Sequence, residues 1–216
     1  TIFPECLESY FNSSILGRAQ KNKLIKINTY DIRKQSTNKH NTVDEPPYGG
    51  GPGMVLQIEP VYKTLKKIYK IKNKNTQVIL LSPRGETLTQ NKVKELSKYK
   101  RLIFIAGHYE AIDARIDNFI DQKISLGNFI MTGGELAAAA VIDSVARLVP
   151  GVLGKAESLE DESFSEYNQK TKEFNIEYPQ YTRPEVFKGL KVPEVLLSGN
   201  HQKIKEWRKQ QSALRQ

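Results

Sequence analysis

Cysteine and histidine are scarce in this chain, and their scarcity argues against several classes of protein. Only one of the 216 residues is cysteine, Cys6, and only three are histidine. A lone cysteine forms no internal disulfide and is typical of a reducing cytoplasm. So few thiol and imidazole groups also argue against a structural zinc site, and we predict no resident metal. Because no apolar run reaches roughly 20 residues and the start does not resemble a signal peptide, we expect a cytoplasmic protein without a membrane segment.

Familiar nucleotide-binding and hydrolytic patterns are also missing. The sequence has no Gly-x-x-x-x-Gly-Lys-Ser/Thr element, and the glycines of residues 48–54 do not have the spacing of a dinucleotide fingerprint. Nothing indicates a Ser-His-Asp relay, and Cys6 has no evident base partner. A Walker-type hydrolase, a conventional Rossmann dehydrogenase and a triad hydrolase are therefore all disfavoured.

Positive charge is present in excess: 33 Lys and Arg residues against 24 Asp and Glu give a formal net charge of +9. Such a balance favours a polyanionic partner, because each phosphate that is neutralised releases counterions. The simpler interpretation is that many lysines, such as those of residues 63–74, lie on a solvated helix face and loop. Composition alone leaves both interpretations open.

The middle of the chain repeats one unit: an apolar strand, a glycine-bearing loop and a helix. We predict strands at residues 78–81, 102–106 and 129–131. The first helix follows Thr89 as its N-cap, a second carries Ile112, Ile116 and Phe119 on one stripe, and a third runs from Glu135 to Leu148. This alternation predicts an α/β fold with a parallel sheet and helices on both faces. Ligands bind such sheets beyond the carboxyl ends of the strands.

The composition changes after residue 154. We predict a first domain at 1–154, a polar flexible linker at 155–178, and a small helical C-terminal domain at 179–216. Ser198, Gly199 and Asn200 would cap a final helix whose inner side carries Ile204 and Trp207.

Four features could carry chemistry, and each has a simpler interpretation. The glycine-rich residues 48–54 could approach a ligand or form a flexible linker. Glu110 follows a strand end closely and is a site candidate. Arg147 could act in a site or only complement a helix dipole, and Asp161 and Glu162 could be solvated linker charges.

Several segments together resemble one family. They are TVDEPPYGGGPGM (42–54), LSPRG (81–85), GHYEAID (107–113), SLGNFIMTGGEL (125–136), IDSVAR (142–147), PGVLG (150–154), YTRPE (181–185) and LLSGNH (196–201). Their order and spacing are similar to those of the bacterial tRNA (guanine-N1)-methyltransferases of the SPOUT class. The resemblance covers nearly the whole chain.

The resemblance implies properties that the residues alone do not. It implies a C-terminal trefoil knot in domain 1–154, a strand before Thr1, a final helix that continues beyond Gln216, and a homodimer with active sites at the subunit interface. S-adenosylmethionine would donate a methyl group to N1 of the guanosine immediately 3′ of the anticodon in tRNA, with help from Mg²⁺. The alternatives are a SPOUT enzyme acting on rRNA or on a ribose 2′-hydroxyl, and a non-catalytic RNA-binding module.

The resemblance also assigns residues to the methyl-donor pocket, which the strand-end loops would form. The assigned residues are Leu81, Ser82, Pro83, Gly85, Gly107, Tyr109, Glu110, Leu126, Gly127, Asn128, Phe129, Ile130, Met131, Gly133 and Gly134. His108 and Asn128 stand where the family more often has Arg and Asp.

For catalysis, the resemblance assigns Glu162 as the base that removes the N1 proton, with Asp161 as the alternative, and Arg147 as the cation that stabilises charge near O6. The family usually has Asp where this chain has Glu162. The residues expected to contact RNA are Asp44, Tyr48, Arg183, Arg208 and Lys209.

Overall fold

The computed structural model describes residues 1–154, 163–164, 167–168, 173–174 and 176–212. The chain divides into two compact units, Thr1–Gly154 and Lys155–Gln216, which we call unit 1 and unit 2. None of the helices in these ranges is long and apolar enough to cross a membrane.

The elements follow one another in a regular α/β order. The helices are α1 (Glu8–Phe11), α2 (Ser14–Lys21), α3 (Ile58–Ile68), α4 (Gln90–Leu96), α5 (Glu135–Ala146), α6 (Glu194–Leu197) and α7 (His201–Ser212). The strands are β1 (Asp44–Glu45), β2 (Val55–Leu56), β3 (Thr76–Thr87), β4 (Arg101–Ala106), β5 (Ala111–Ile112), β6 (Gln122–Ser125), β7 (Tyr167–Asn168), β8 (Glu173–Phe174), β9 (Val186–Phe187) and β10 (Leu190–Lys191). Short 3₁₀ helices cover Pro4–Leu7, Ile32–Gln35 and Ala114–Phe119.

The central sheet of unit 1 has the strand order β4-β3-β6, and both pairings are parallel. The register of β3 and β4 runs from Thr76 opposite Arg101 to Leu81 opposite Ala106. Parallel strands of this kind are buried on both sides and are therefore rich in apolar residues. The predicted parallel sheet and its first two strands are confirmed.

The third predicted strand was wrong. Residues 129–131 form an exposed loop, in which 82% of Ile130 is accessible to solvent. The third strand is β6, where Gln122 and Lys123 precede the buried Ile124 and Ser125. With only two buried residues, β6 has a weaker apolar pattern than the loop that follows it, so the sequence pointed to the wrong segment.

Helices cover both faces of the sheet, as predicted, because successive side chains of β3 point in opposite directions. On one face Val78 and Leu80 pack in a core with Val61 and Leu65 of α3. On the other face Ile79 and Leu81 pack in a second core whose remaining members include Val93 and Leu96 of α4 and Ala137, Ala138, Val141 and Val145 of α5. The α/β fold therefore contains two cores, one on each side of the sheet.

The helices around the sheet begin and end largely as the sequence predicts, with one exception. Thr89 caps α4, since its side chain accepts a hydrogen bond from the Lys92 amide at 3.2 Å. The predicted helix through Ile112, Ile116 and Phe119 is confirmed only in part, because Ala114–Phe119 forms a 3₁₀ helix that does not include Ile112. Ile112 instead lies in β5, which pairs in parallel with β2 and places Ile112 opposite Leu56. This tertiary pairing overrides the helical spacing of the apolar residues.

Unit 2 is built from small elements. β7 pairs with β8 and β9 with β10, all antiparallel. The Asn200 side chain accepts a hydrogen bond from the Lys203 amide at 3.1 Å, so it caps α7 as predicted. Ile204 and Trp207 are half-buried, while none of the described residues of unit 2 is fully buried.

Candidate active site

Three loops lie at the carboxyl-terminal side of the central sheet, one in the bulge of β3 between Leu81 and Glu86 and the others after β4 and β6. We call residues 82–85 the β3 loop, residues 107–110 the β4 loop and residues 126–134 the β6 loop. The carboxyl ends of parallel strands meet at one edge of a sheet, where such folds bind ligands.

The β3 loop lies directly on the backbone of β6. Leu81 and Glu86 both pair with Ile124, so the residues between them bulge out of the ladder. A Cβ atom at Gly85 would come within 2.6 Å of the carbonyl carbons of Lys123 and Ile124. Only a glycine permits this approach.

The β4 and β6 loops are joined through their backbones. The Gly134 amide donates a hydrogen bond to the Gly107 carbonyl at 2.7 Å, and His108 forms an isolated antiparallel bridge with Gly133. A Cβ atom at Gly134 would lie 3.1 Å from the Ala106 Cα atom, closer than most side chains tolerate. All three loops are thus in contact with a neighbouring strand or loop.

The first part of the β6 loop is an exposed apolar turn. Gly127 has a φ of 151°, and its amide donates to the Ser125 hydroxyl at 3.1 Å. Beyond it Phe129 is 55% and Ile130 82% exposed, and Leu136 at the start of α5 is 67% exposed. Exposed apolar residues that cluster in this way mark a contact surface.

The residues predicted for the methyl-donor pocket differ in accessibility. Leu81 is buried; Ser82, Gly85, Gly107, Leu126, Gly127, Gly133 and Gly134 are half-buried; and Pro83, Tyr109, Glu110, Asn128, Phe129, Ile130 and Met131 are exposed. Tyr109 has a φ of 61°, which is uncommon for a residue with a side chain. The structure brings these residues to one edge of the sheet.

The glycine-rich segment ends against Glu110. The Glu110 amide donates to the Met54 carbonyl at 3.1 Å, and a Cβ atom at Gly53 would overlap the Glu110 side chain. In contrast, no described atom lies within 4 Å of a Cβ built at Gly49, Gly50 or Gly51. Tyr48 is fully exposed beside them. The segment is therefore anchored at its end and open to solvent at its centre.

Asp44 lies in β1 and Asp113 directly follows β5, and both of these strands pair with β2. Asp44 is half-buried in β1, opposite Leu56, and the Asp113 amide donates to the Leu56 carbonyl at 2.9 Å. Hydrogen bonds from Arg115, one of them 2.6 Å long, lower the pKa of the Asp113 carboxyl. Asp113 therefore stays ionised to a lower pH than an ordinary aspartate.

The catalytic candidates are not all described. Arg147 directly follows α5, is half-buried, and donates its amide to the Asp143 carbonyl at 3.2 Å. The twelve residues of α5 span about 18 Å, so the structure does not bring Arg147 next to the loops at the start of that helix. Glu162 and Asp161 lie outside the described residues. Ser163, which follows them, accepts a hydrogen bond from the Glu177 amide at 3.0 Å.

The RNA-binding candidates of unit 2 lie on its surface. Arg183, Arg208 and Lys209 are all exposed. The Arg208 guanidinium lies 4.8 Å from the ring centre of Tyr178, within the range of a cation–π contact. Trp207 contacts the rings of Tyr178 and Tyr181, with centroids 6.5 and 6.3 Å away.

One ionisable pair at the junction of the loops was not predicted. Glu135, the first residue of α5, is only 6% exposed, and its carboxylate lies 3.5 Å from Nδ1 of His108. The local sequence signal for this site was Glu135 itself, an acidic residue that stands between Gly133-Gly134 and the alanines of residues 137–140. Its partner could not be identified from local sequence.

A large cavity of unit 1 lies elsewhere. It has a volume of about 1060 Å³ and borders β4, with Leu7, Phe11, Ile103, Ile105 and Val145 among its walls. No described strand pairs with that outer edge of β4. None of the residues predicted for the methyl-donor pocket lines the cavity. Strand ends, rather than cavity size, therefore identify the candidate site.

Comparisons with known proteins identify the family of the chain. The family model described as tRNA (Guanine-1)-methyltransferase TrmD matches residues 1–216. A protein of Clostridium botulinum named tRNA (guanine-N(1)-)-methyltransferase is 52% identical over 214 residues, covering 99% of this chain and 85% of the relative. A protein of the same name from Clostridium perfringens is also 52% identical over 214 residues, covering 99% of this chain and 86% of the relative.

Proposed function

Because the chain belongs to the tRNA (guanine-1)-methyltransferase family, we propose that it transfers a methyl group from S-adenosylmethionine to N1 of the guanosine immediately 3′ of the anticodon in tRNA. The observation that carries the proposal is the match of the family model over residues 1–216. The glycine-lined strand ends support it, because that edge of a parallel sheet is where a small cosubstrate binds. We place the reaction in the cytoplasm.

The β3, β4 and β6 loops fit the methyl donor. Backbone amides and carbonyls of these loops can hydrogen-bond the adenine edge, while Leu81, a buried member of the second core, gives an apolar floor. The donor supplies the methyl group as an electrophile bound to a positively charged sulfur.

The residues of the chain must accept the N1 proton of guanine and stabilise the negative charge that develops toward O6. N1 of guanine carries a proton at neutral pH, so a base has to accept it. We assign this role to Glu162, with Asp161 as the alternative. Negative charge then develops toward O6, and Arg147 provides the fixed cation that stabilises it.

The separation along α5 supports a shared active site. Arg147 and the β6 loop stand at opposite ends of that helix, about 18 Å apart. The two therefore meet only if they come from different subunits. The exposed apolar residues Phe129, Ile130 and Leu136 offer a surface that a second copy can cover. These features support a homodimer with active sites at its interface.

The family fold includes a trefoil knot, which requires one loop to cross another closely. The approach of Gly85 to the backbone of β6 supports such a crossing in unit 1. Mg²⁺ fits the described residues less well, because within them no group of three or more His, Cys, Asp or Glu side chains is placed to hold a metal ion. No step of the mechanism is routed through a metal.

Transfer RNA would contact both units. In unit 1 the exposed Tyr48 and the half-buried Asp44 flank the open glycines, and a carboxylate can accept hydrogen bonds from N1 and N2 of guanine. In unit 2 Arg183, Arg208 and Lys209 supply positive charge for phosphates.

One assay tests the function. The chain is incubated with S-adenosylmethionine and matched tRNA transcripts that carry guanosine or adenosine 3′ of the anticodon, and the nucleosides are analysed by mass spectrometry. We expect 1-methylguanosine only from the guanosine transcript. A methylated ribose, or methylation of rRNA but not of tRNA, would replace the proposal with another SPOUT reaction. No affinity for S-adenosylmethionine in calorimetry would indicate a non-catalytic RNA-binding module.

A further inference from the structure

The mechanism above leaves one buried ionisable pair unused. Glu135 is 6% exposed, and carboxylates are rarely buried so deeply without partners. One carboxylate oxygen accepts a hydrogen bond from the Thr1 hydroxyl at 2.5 Å. The other lies 3.5 Å from Nδ1 of His108.

The His108 ring is held so that this nitrogen faces Glu135. Its edge meets the ring of Phe3, with centroids 4.9 Å apart and an interplanar angle of 71°. The Tyr109 ring lies on another side at 5.4 Å. Among the described side chains, Nδ1 of His108 is the buried polar atom that lacks a hydrogen bond. An unsatisfied buried polar atom is costly, and the Glu135 carboxylate 3.5 Å away is the acidic group placed to lower that cost.

The pair lies where the β4 loop meets the β6 loop. A Cβ atom at Gly133 would overlap both Nδ1 of His108 and the nearer Glu135 oxygen, so the backbone of the β6 loop packs directly on the pair. The neighbouring Gly134 amide donates to the Gly107 carbonyl at 2.7 Å. His108 belongs to one loop and Glu135 directly follows the other, so their contact joins the two loops.

We propose that His108 and Glu135 are positioning residues that keep the β4 and β6 loops in the geometry that binds the methyl donor. The proposal rests on the function proposed above, because the bound ligand is S-adenosylmethionine. In this role the nitrogen of His108 acts through Glu135.

Three substitutions test separately the roles of the His108 nitrogen, the His108 ring and the Glu135 charge. His108→Phe keeps an aromatic ring against Phe3 but removes Nδ1, while His108→Asn keeps a nitrogen at the δ position but removes the ring. Glu135→Gln keeps an acceptor for the Thr1 hydroxyl and removes the charge. Glu59→Gln serves as the matched control, since it removes a carboxylate from the exposed Glu59–Lys63 pair of α3.

Two measurements on the full chain test the proposal. Calorimetry and kinetics give the Kd and KM for S-adenosylmethionine together with kcat, and hydrogen exchange gives the protection of the Gly134 amide. We expect His108→Phe to raise Kd and KM about tenfold, to change kcat far less, and to lower Gly134 protection. Glu135→Gln should act in the same direction, His108→Asn should restore most of the loss, and Glu59→Gln should change nothing.

The outcomes distinguish this proposal from the proposed function. Unchanged Gly134 protection in His108→Phe overturns the positioning role whether or not the chain binds S-adenosylmethionine. A defect in His108→Asn with a normal His108→Phe also overturns it, since the ring alone would then matter. If protection falls as expected but the unsubstituted chain binds no S-adenosylmethionine, the junction between the loops stands and the proposed function fails.

Discussion

Unit 1 and unit 2 are stabilised by different kinds of contact. Unit 1 packs its sheet between two cores, with Leu56, Ile79, Leu96 and Ile124 completely buried. None of the described residues in unit 2 is buried, and its best contacts are the aromatic rings around Trp207. Burial of apolar surface is the main favourable term in folding. Unit 1 can therefore hold a ligand pocket in a fixed shape, whereas unit 2 depends more on what it binds.

The two units also need different positional precision. Loops that bind a small cosubstrate must be held within fractions of an ångström, and rigid elements provide this. Contacts to phosphates are long, charged and tolerant of small displacements, so an exposed basic surface is sufficient for them. Substitutions in each unit test this difference between a rigid pocket and an exposed basic surface.

The first prediction separates chemistry from binding in unit 1. Arg147→Ala should lower kcat by about 10²- to 10³-fold, because it removes the cation that stabilises charge at O6. The Kd for S-adenosylmethionine should stay within about twofold, since the charge of Arg147 is needed in the transition state and not for binding the donor. Arg101→Ala, which removes an exposed arginine of β4, is the control for kinetics and calorimetry. An equal loss of kcat in both variants would contradict the role of Arg147.

The second prediction concerns the rigidity of the pocket. Gly85→Ala places a Cβ atom within 2.6 Å of the Ile124 backbone, and such overpacking should destabilise unit 1 by about 3 kcal/mol. Thermal unfolding and calorimetry with S-adenosylmethionine should both report the loss. Gly154→Ala has no described atom within 4 Å of its new Cβ and should change neither measurement. A Gly85→Ala variant of normal stability would show that the β3 loop moves freely away from β6.

The third prediction concerns unit 2. Trp207→Ala removes the ring that contacts Tyr178 and Tyr181, and with it the support of Arg208. We expect tRNA affinity to fall about tenfold, with no change in S-adenosylmethionine affinity or in the main unfolding transition. Filter binding and differential scanning calorimetry measure these effects, and Tyr30→Ala in unit 1 is the aromatic control. A large drop in the main transition would mean that the two units do not differ in the way described.

The smallest effect comes from an ion pair at the rim of unit 1. The pKa of Asp113 is lowered by Arg115, so its contribution to stability is present above the unfolded pKa of about 3.9 and is lost as the pH falls through the folded value. Because Arg115 is largely exposed, Asp113→Asn should cost less than about 1 kcal/mol at neutral pH. Urea unfolding should show this difference at pH 7 and show it vanishing in strong acid. A difference that grows in acid would contradict the assignment.

The sequence predicted the elements whose local pattern and final environment agree. Residues 78–81 and 102–106 are continuous apolar runs and form strands of the sheet that are mostly buried; Thr89 and Asn200 cap the helices that follow these two residues. The run at Phe129 was misread because apolar residues that form a contact surface have the same pattern as a buried strand. The helical stripe through Ile112 failed because β2, which is distant in sequence, pairs with β5.

In the candidate site, too, only the features with a local sequence pattern could be predicted. Each of the three loops could be recognised from glycines near predicted strand ends, and the resemblance added residue roles that remain predictions. The contacts of Gly53 with Glu110 and of His108 with Glu135 could not be predicted, because each joins segments that are far apart in the chain.

The parallel sheet covered by helices, the glycine-bearing strand ends and the basic C-terminal region can all be inferred from the residues without the fold. Hydrophobic periodicity, capping residues and charge act locally, so they can be read without knowing the fold. Only the tertiary structure decided that the β3 loop rests on β6 and that His108 faces Glu135. Those contacts depend on the path of the chain in space, which packing of the whole unit selects and no local pattern encodes.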